Sequence, residues 1–192
     1  VTVGRRRQFD EQVAVRAARD LLWEKGYAST SLTDLELATG LNRSSLYQAF
    51  GSKSALFTRA VQNYCEEILW PLIEPMEADD AGPEEIAAYF LALAGRIRKS
   101  ARPSAERGCM ISNTASELNI LDDTVAGMVR NYRKRLHSAI TNALTAIKGL
   151  DDPDRKAEVL TAAQMGLMIT ARFDPIAAAK TAETIAADVR TW

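Results

Sequence analysis

Glycines at positions 26, 40 and 51 interrupt the first quarter of the chain, and each is soon followed by a side chain suited to open a helix: Ser31, Asn42 and Ser52. This alternation of stop and start permits only short helices. The first runs from about Asp10 to Lys25, with Val13, Ala17, Leu21 and Leu22 on one face. The second begins at Ser31, where Asp34 can reach back as in a capping box. It turns Leu32, Leu35 and Ala38 inward and ends at Gly40. The third runs from Asn42 to Phe50. A fourth, capped by Ser52, carries Leu56, Val61 and Tyr64 and continues to about Trp70, where Pro71 ends or bends it.

Beyond this point apolar residues keep recurring at three and four, never at two for long, so the chain reads as all-α. Residues 74–83 (EPMEADDAGP) form an acidic loop with two prolines. Further helices are predicted over 84–100, 108–119, 122–148, 154–172 and 175–190. Pro83, Pro153 and Pro175 sit where a first helical turn accepts them. The expected division is a three-helix unit over 1–53 and a larger helical domain over 54–192. There is no internal repeat.

Of the 192 residues, 47% are hydrophobic and 26% charged, an ordinary globular balance. No apolar run reaches 18 residues, so no membrane-spanning helix is expected. Val1 to Gln8 carries Arg5, Arg6 and Arg7 with no apolar segment behind them, unlike a secretory signal. Two cysteines, Cys65 and Cys109, make no disulfide framework, and a reducing cytoplasm is the expected location. The net charge of −1 conceals a split. Residues 1–60 hold nine Lys/Arg against six Asp/Glu, whereas 61–192 hold fifteen against nineteen. A basic first third suggests an anion-binding end.

The single histidine, His137, reads as a surface residue, and Asp151, Asp152 and Asp154 as a solvated loop. No Ser/His/Asp set, Gly-rich phosphate loop or cofactor fingerprint is present, so neither catalysis nor a metal or cofactor is expected.

The stretch from Thr30 to Phe57 is TSLTDLELATGLNRSSLYQAFGSKSALF: helix, Gly turn, helix. Leu32, Leu35, Ala38, Leu41, Leu46 and Phe50 would pack the two helices on the first, with Gly40 supplying a turn at positive φ. Such a unit shows the N-terminal half of its second helix to solvent, the geometry of a helix-turn-helix in a DNA major groove. Arg43, Ser44, Ser45, Tyr47 and Gln48 are the exposed donors and acceptors expected there. Arg suits guanine and Gln suits adenine. Lys53 and the amides near Ser52 would hold one backbone phosphate, and Thr30 and Ser31 another. The alternative is a helical adaptor that uses the same unit for protein contact.

From Ala14 to Tyr64 the sequence resembles the DNA-binding domain of the tetracycline-repressor (TetR) family of bacterial transcriptional regulators. The matching pattern is an Ala-Ala helix, Gly-Tyr, Thr-Ser, a helix ending in Ala-x-Gly, Leu-Tyr-x-x-Phe, then Gly-Ser-Lys. The spacing of Leu46, Tyr47, Phe50 and Lys53 is its most specific part. Four positions depart: Leu22 stands where Phe is usual, Asn42 where Ser or Thr caps, Gln48 where His is frequent, and Ser54 where Glu is common.

The resemblance implies a homodimer formed through the last two long helices, a pseudo-palindromic double-stranded DNA operator, and a pocket for a small-molecule effector in the second domain. The segments 158–172 and 175–190, apolar on more than one face, fit a dimer interface or a thick intramolecular core. Tyr64, Trp70, Phe90, Cys109, Met110, Asn113, Tyr132, Met165 and Met168 are candidates to line an apolar pocket. RGCMISNTASEL (107–118) is similar to a segment in one branch of the family, some members of which sense electrophiles or oxidants through a Cys there. A helix N-terminus and Arg107 would both favour a thiolate at Cys109; the alternative is a plain buried Cys. Arg5–Arg7 is either an arm along the DNA or a solvated tail.

Overall fold

The computed structural model describes residues 9–99 and 107–192, so Arg5–Arg7 lie outside the described residues. Asp10 opens α1 (Glu11–Lys25) by accepting the amides of Gln12 and Val13. The helix buries Ala14, Val15, Ala18 and Leu22 against α2 and α4. Val13 is not on this face: it is 57% exposed. The inward stripe is rotated by one residue from the expected one, because α1 has to meet two partners at once.

Ser31 and Asp34 close the capping box of α2 (Leu32–Thr39), and Gly40 ends it at φ 68°. Leu35 is fully buried, but Ala38 points to solvent, so it is not the close-crossing residue that its size suggested. Asn42 caps α3 (Arg43–Phe50) through the Ser45 amide, and Leu46 and Phe50 face inward. Ser52 caps α4 (Lys53–Tyr64).

Pro71 does not end the fourth helix. The rod widens into a π turn at Cys65–Leu69, continues as α5 (Trp70–Ile73) and tightens into a 3-10 turn at Glu74–Glu77. In the wide turn the Trp70 amide donates five residues back, to the Cys65 carbonyl. The shift sits immediately ahead of Pro71, which lacks an amide and crowds the carbonyl four residues before it. The expected acidic loop is correspondingly shorter.

The larger part follows as α6 (Pro83–Lys99), α7 (Met110–Ala115), α8 (Asp123–Thr145), α9 (Pro153–Thr170) and α10 (Pro175–Val189). The single helix expected over 108–119 is instead α7 followed by a 3-10 turn at Leu118–Ile120. α6 lies along α10, α8 packs on α9, and α4 touches both α1 and α8. The fold is all-α: no strand occurs among the described residues, and no helix there is long and apolar enough to cross a membrane.

Side chains tie the first three helices to the rest. The Glu117 carboxylate accepts the amides of Tyr27 (2.9 Å) and Ala28 (3.1 Å). Trp23 Nε1 donates to the Gly108 carbonyl at 3.2 Å, and Arg107 pairs with Glu24 at 2.9 Å. Ser54 donates to Asp122, the cap of α8, at 2.7 Å.

Candidate functional site

α3 stands proud because its caps leave it short and its apolar side is used up by Leu46 and Phe50. Arg43, Ser44, Tyr47 and Gln48 are exposed along its outer side, with Ser45 half-covered. Residues 44, 47 and 48 share one face at helical spacing. Tyr47, Ser52 and Lys53 border one shallow depression floored by Leu32, Leu46 and Leu56, so the structure sets Tyr47 beside the Ser52 and Lys53 expected to hold a backbone phosphate.

Other expected contacts are engaged elsewhere. Thr30 is buried and its hydroxyl donates to the Gly26 carbonyl at 2.6 Å. At Ser31 both the amide (2.9 Å) and the hydroxyl (2.7 Å) donate to Asp34. A carboxylate thus already fills the place of an anion at the start of α2. The ammonium of Lys25, then Ser31, hold the Asp34 carboxyl well below the usual carboxylate range. Lys53 Nζ donates to the Tyr27 carbonyl at 2.6 Å and sits 4.2 Å from the centre of the Tyr27 ring. Burial lowers its pKa. Its charge is therefore anchored at the base of α4 rather than free to swing.

A small apolar cavity of about 70 Å³ lies where α1 meets the larger domain. Of the expected lining, Tyr64, Cys109 and Met168 are in its wall. Trp70 instead stacks on Tyr132 beneath the Arg135 guanidinium, 4.4 Å away. Phe90, Met110 and Tyr132 are packed core, and Asn113 spans α7's approach by donating to the Arg107 carbonyl at 2.7 Å. Met165 is half-exposed. These six do not line the cavity. Trp23 from α1, Ile68, Leu69 and Leu72 from the π turn and α5, Leu93, Arg96 and Ile97 from α6, Gly108 ahead of α7, and Gln164 from α9 complete it. Trp23 escaped sequence reasoning because it belongs to a DNA-binding helix. Gln164 escaped because a polar residue in an apolar helix reads as surface.

The cavity's chemistry is muted. Burial raises the Tyr64 phenol well above its ordinary value, and pushes the Cys65 thiol up to about 12. Cys109 is buried at the start of α7, and the nearby Arg107 is held by Glu24. The Arg107 charge expected to favour a thiolate at Cys109 is thus shared with Glu24. Among the described residues no group of three or more His, Cys, Asp or Glu could hold a metal ion.

A capped helix-turn-helix mounted on a larger helical domain defines a DNA-binding regulator. The model for bacterial regulatory proteins of the tetR family matches residues 14–60. The chain is 32% identical over 146 residues to an uncharacterized HTH-type transcriptional regulator, YezE, from Bacillus subtilis, covering 76% of this chain and 74% of that protein. A TetR-family regulator from Agrobacterium tumefaciens superposes with a TM-score of 0.78 at 25% identity, over 94% of this chain and 95% of that one. A cysteine-substituted variant of the TetR-family regulator CifR, solved in complex with 26-bp double-strand operator DNA, gives 0.72 at 22% identity, over 98% and 100%. The chain belongs to the TetR family of transcriptional regulators.

Proposed function

We propose that the chain is a ligand-responsive repressor that acts as a homodimer on a pseudo-palindromic operator and lets go when a small, mostly apolar effector enters the cavity. Residues 1–53 serve as the reading head and 54–192 as the sensing and dimerising domain, working in the cytoplasm. The observation that carries this reading is the outer side of α3, where Arg43, Ser44, Tyr47 and Gln48 stand exposed on a fully capped helix. Arg43 and Gln48 read base edges; Tyr47, with Lys53 and the α4 amides, positions the phosphate backbone. The operator-bound CifR neighbour supports the docking mode.

Dimerisation is supported by α9 and α10. Val159, Ala162, Gly166 and Ile169 form an outward stripe that continues into Phe173 and Ile176, which are 76% and 75% exposed. A Cβ at Gly166 would meet nothing within 4 Å among the described residues outside its own helix backbone, so intramolecular packing there does not explain that glycine. Close approach of a second copy does.

A second reading has Cys109 modified by an electrophile or oxidant. It is favoured by the place of Cys109 in the cavity wall, where a reagent that enters would meet it.

Sequencing the genomic fragments retained by the purified protein, followed by gel shifts on them, tests the reading. Binding to a two-fold repeated site, lost in Arg43→Ala and steeply salt-dependent, is expected. Absence of any enriched fragment overturns it. Alkylation of Cys109 that leaves operator affinity unchanged removes the second reading.

A further inference from the structure

We infer that the cavity takes a compact, uncharged, mostly apolar molecule carrying a hydroxyl or amide group, held by the side-chain amide of Gln164. This rests on the reading of the cavity as the effector site.

Gln164 is only 1% exposed, lies in the cavity wall, and its Oε1 has no hydrogen-bond partner. A buried amide left unpaired is costly, and an apolar side chain of the same size would fill this position without that penalty. The neighbouring wall is Tyr64, Leu72, Leu93, Ile97 and Met168. Such a surface rewards an apolar body, and the unpaired oxygen calls for one donor on it. An ionised group taken this deep would meet a neutral amide and hydrocarbon, which is unfavourable. The charged side chain of the wall, Arg96, lies on the exposed side of α6.

Size adds the regulation. Benzene occupies an engineered cavity of about 150 Å³. The 70 Å³ present here is too small for a ring unless a wall moves. Trp23 is the wall residue contributed by the DNA-binding helices; it donates one hydrogen bond to Gly108, meets the Tyr64 ring edge-on at 4.8 Å and lies 5.9 Å from the Arg107 guanidinium. A ring-sized ligand therefore binds more tightly to a state with Trp23 displaced, the differential affinity any release mechanism needs.

The test titrates the full-length protein with benzyl alcohol, toluene and benzoate by calorimetry. Benzyl alcohol is expected to bind at least about tenfold more tightly than toluene, and benzoate more weakly than the alcohol. In Gln164→Leu the alcohol and toluene should bind alike. Gln164→Met, closer in shape, serves if the first variant does not fold. Equal binding of alcohol and toluene to the wild type, a preference that survives both substitutions, tightest binding of benzoate, or binding of none of the three overturns the ligand class. If the alcohol binds with the stated preference while operator affinity stays unchanged, the ligand class stands and the effector reading falls.

Discussion

The helices that carry the DNA-reading surface and the helices that surround the cavity treat their polar groups differently. In the first group Asp10, Ser31, Asn42 and Ser52 each close a helix start. Even the part-buried Arg19 is bonded to Asp20, Asn63 and Glu67. The larger domain also caps its long helices, yet it leaves Arg107 Nε, Ser112 Oγ, Thr161 Oγ1 and Gln164 Oε1 buried and unpaired. Among the described residues every such atom lies beyond residue 100. The same domain exposes the apolar stripe on α9 and α10. The first helices thus have their polar groups satisfied within the chain, in part by Glu117 and Asn63 of the larger domain, while that domain keeps unpaired polar atoms inside and an apolar stripe outside, the features on which the proposed ligand and second copy rest.

The largest expected effect lies at the stripe. Ile169→Glu should abolish the dimer and lower operator affinity about 1,000-fold, since each head then binds alone. Sedimentation and gel shifts read both effects, and a dimer of full affinity would mean that the stripe is not the interface. Next in size is the joint between the two regions. Gly108 sits at φ 62°, and a Cβ there would lie 2.7 Å from the Met168 carbonyl and 2.9 Å from Arg172 Cγ. Backbone cannot yield as a side-chain tip can. Gly108→Ala should cost about 3 kcal/mol in thermal or urea unfolding.

A smaller effect sharpens the interior contrast. Gln164→Leu removes an unpaired amide and should stabilise the ligand-free protein by about 1 kcal/mol, whereas Leu35→Gln in the head, where packing is closed, should destabilise it. A loss of stability in the first variant would show that water or a neighbour satisfies Gln164. Trp23→Phe keeps a ring in place but gives up the bond to Gly108, with an expected cost of about 1 kcal/mol. Its more telling readout is ligand response, which should weaken while operator binding without ligand persists.

The head was legible because its signals are local. A glycine with no side chain and an Asn or Ser at the next start act on their own few residues, so Gly40 and Asn42 could be read directly. Faces were harder. In α2, Leu32, Leu35, Leu37 and Ala38 surround an eight-residue helix almost evenly, so the sequence pattern could not decide that Ala38 faces out. The π turn was invisible, since Pro71 announces a disturbance without saying whether the chain stops or widens before it. The cavity was least legible. It draws Trp23, Leu72, Leu93 and Gln164 from four separate helices, and only tertiary packing sets which apolar residue borders space and which, like Phe90, borders another ring. Ser54 is instructive in the other direction. In place of the family's common Glu it binds the Asp122 cap and so fastens α4 to α8.

The smallest expected effect concerns acid. Asp34 in the head is depressed by its bonds to Lys25 and Ser31, and Asp122 at the joint by Ser54 and its own helix amides. For carboxyls depressed in this way the stabilisation is complete above the unfolded carboxylate range near pH 4, and fades as pH falls through that range towards the folded values. Between pH 7 and about 5 the wild type should therefore hold its melting temperature against these groups, and below about 4 it should drop. Asp34→Asn keeps an acceptor for the capping box but removes the charge. Its melting temperature should lie below that of the wild type at pH 7, and the gap should narrow steadily on acidification as the wild type loses the same charge. A gap that stays constant down to pH 3 would mean that the carboxylate's charge contributes nothing to the head, and that its capping geometry alone holds the start of α2.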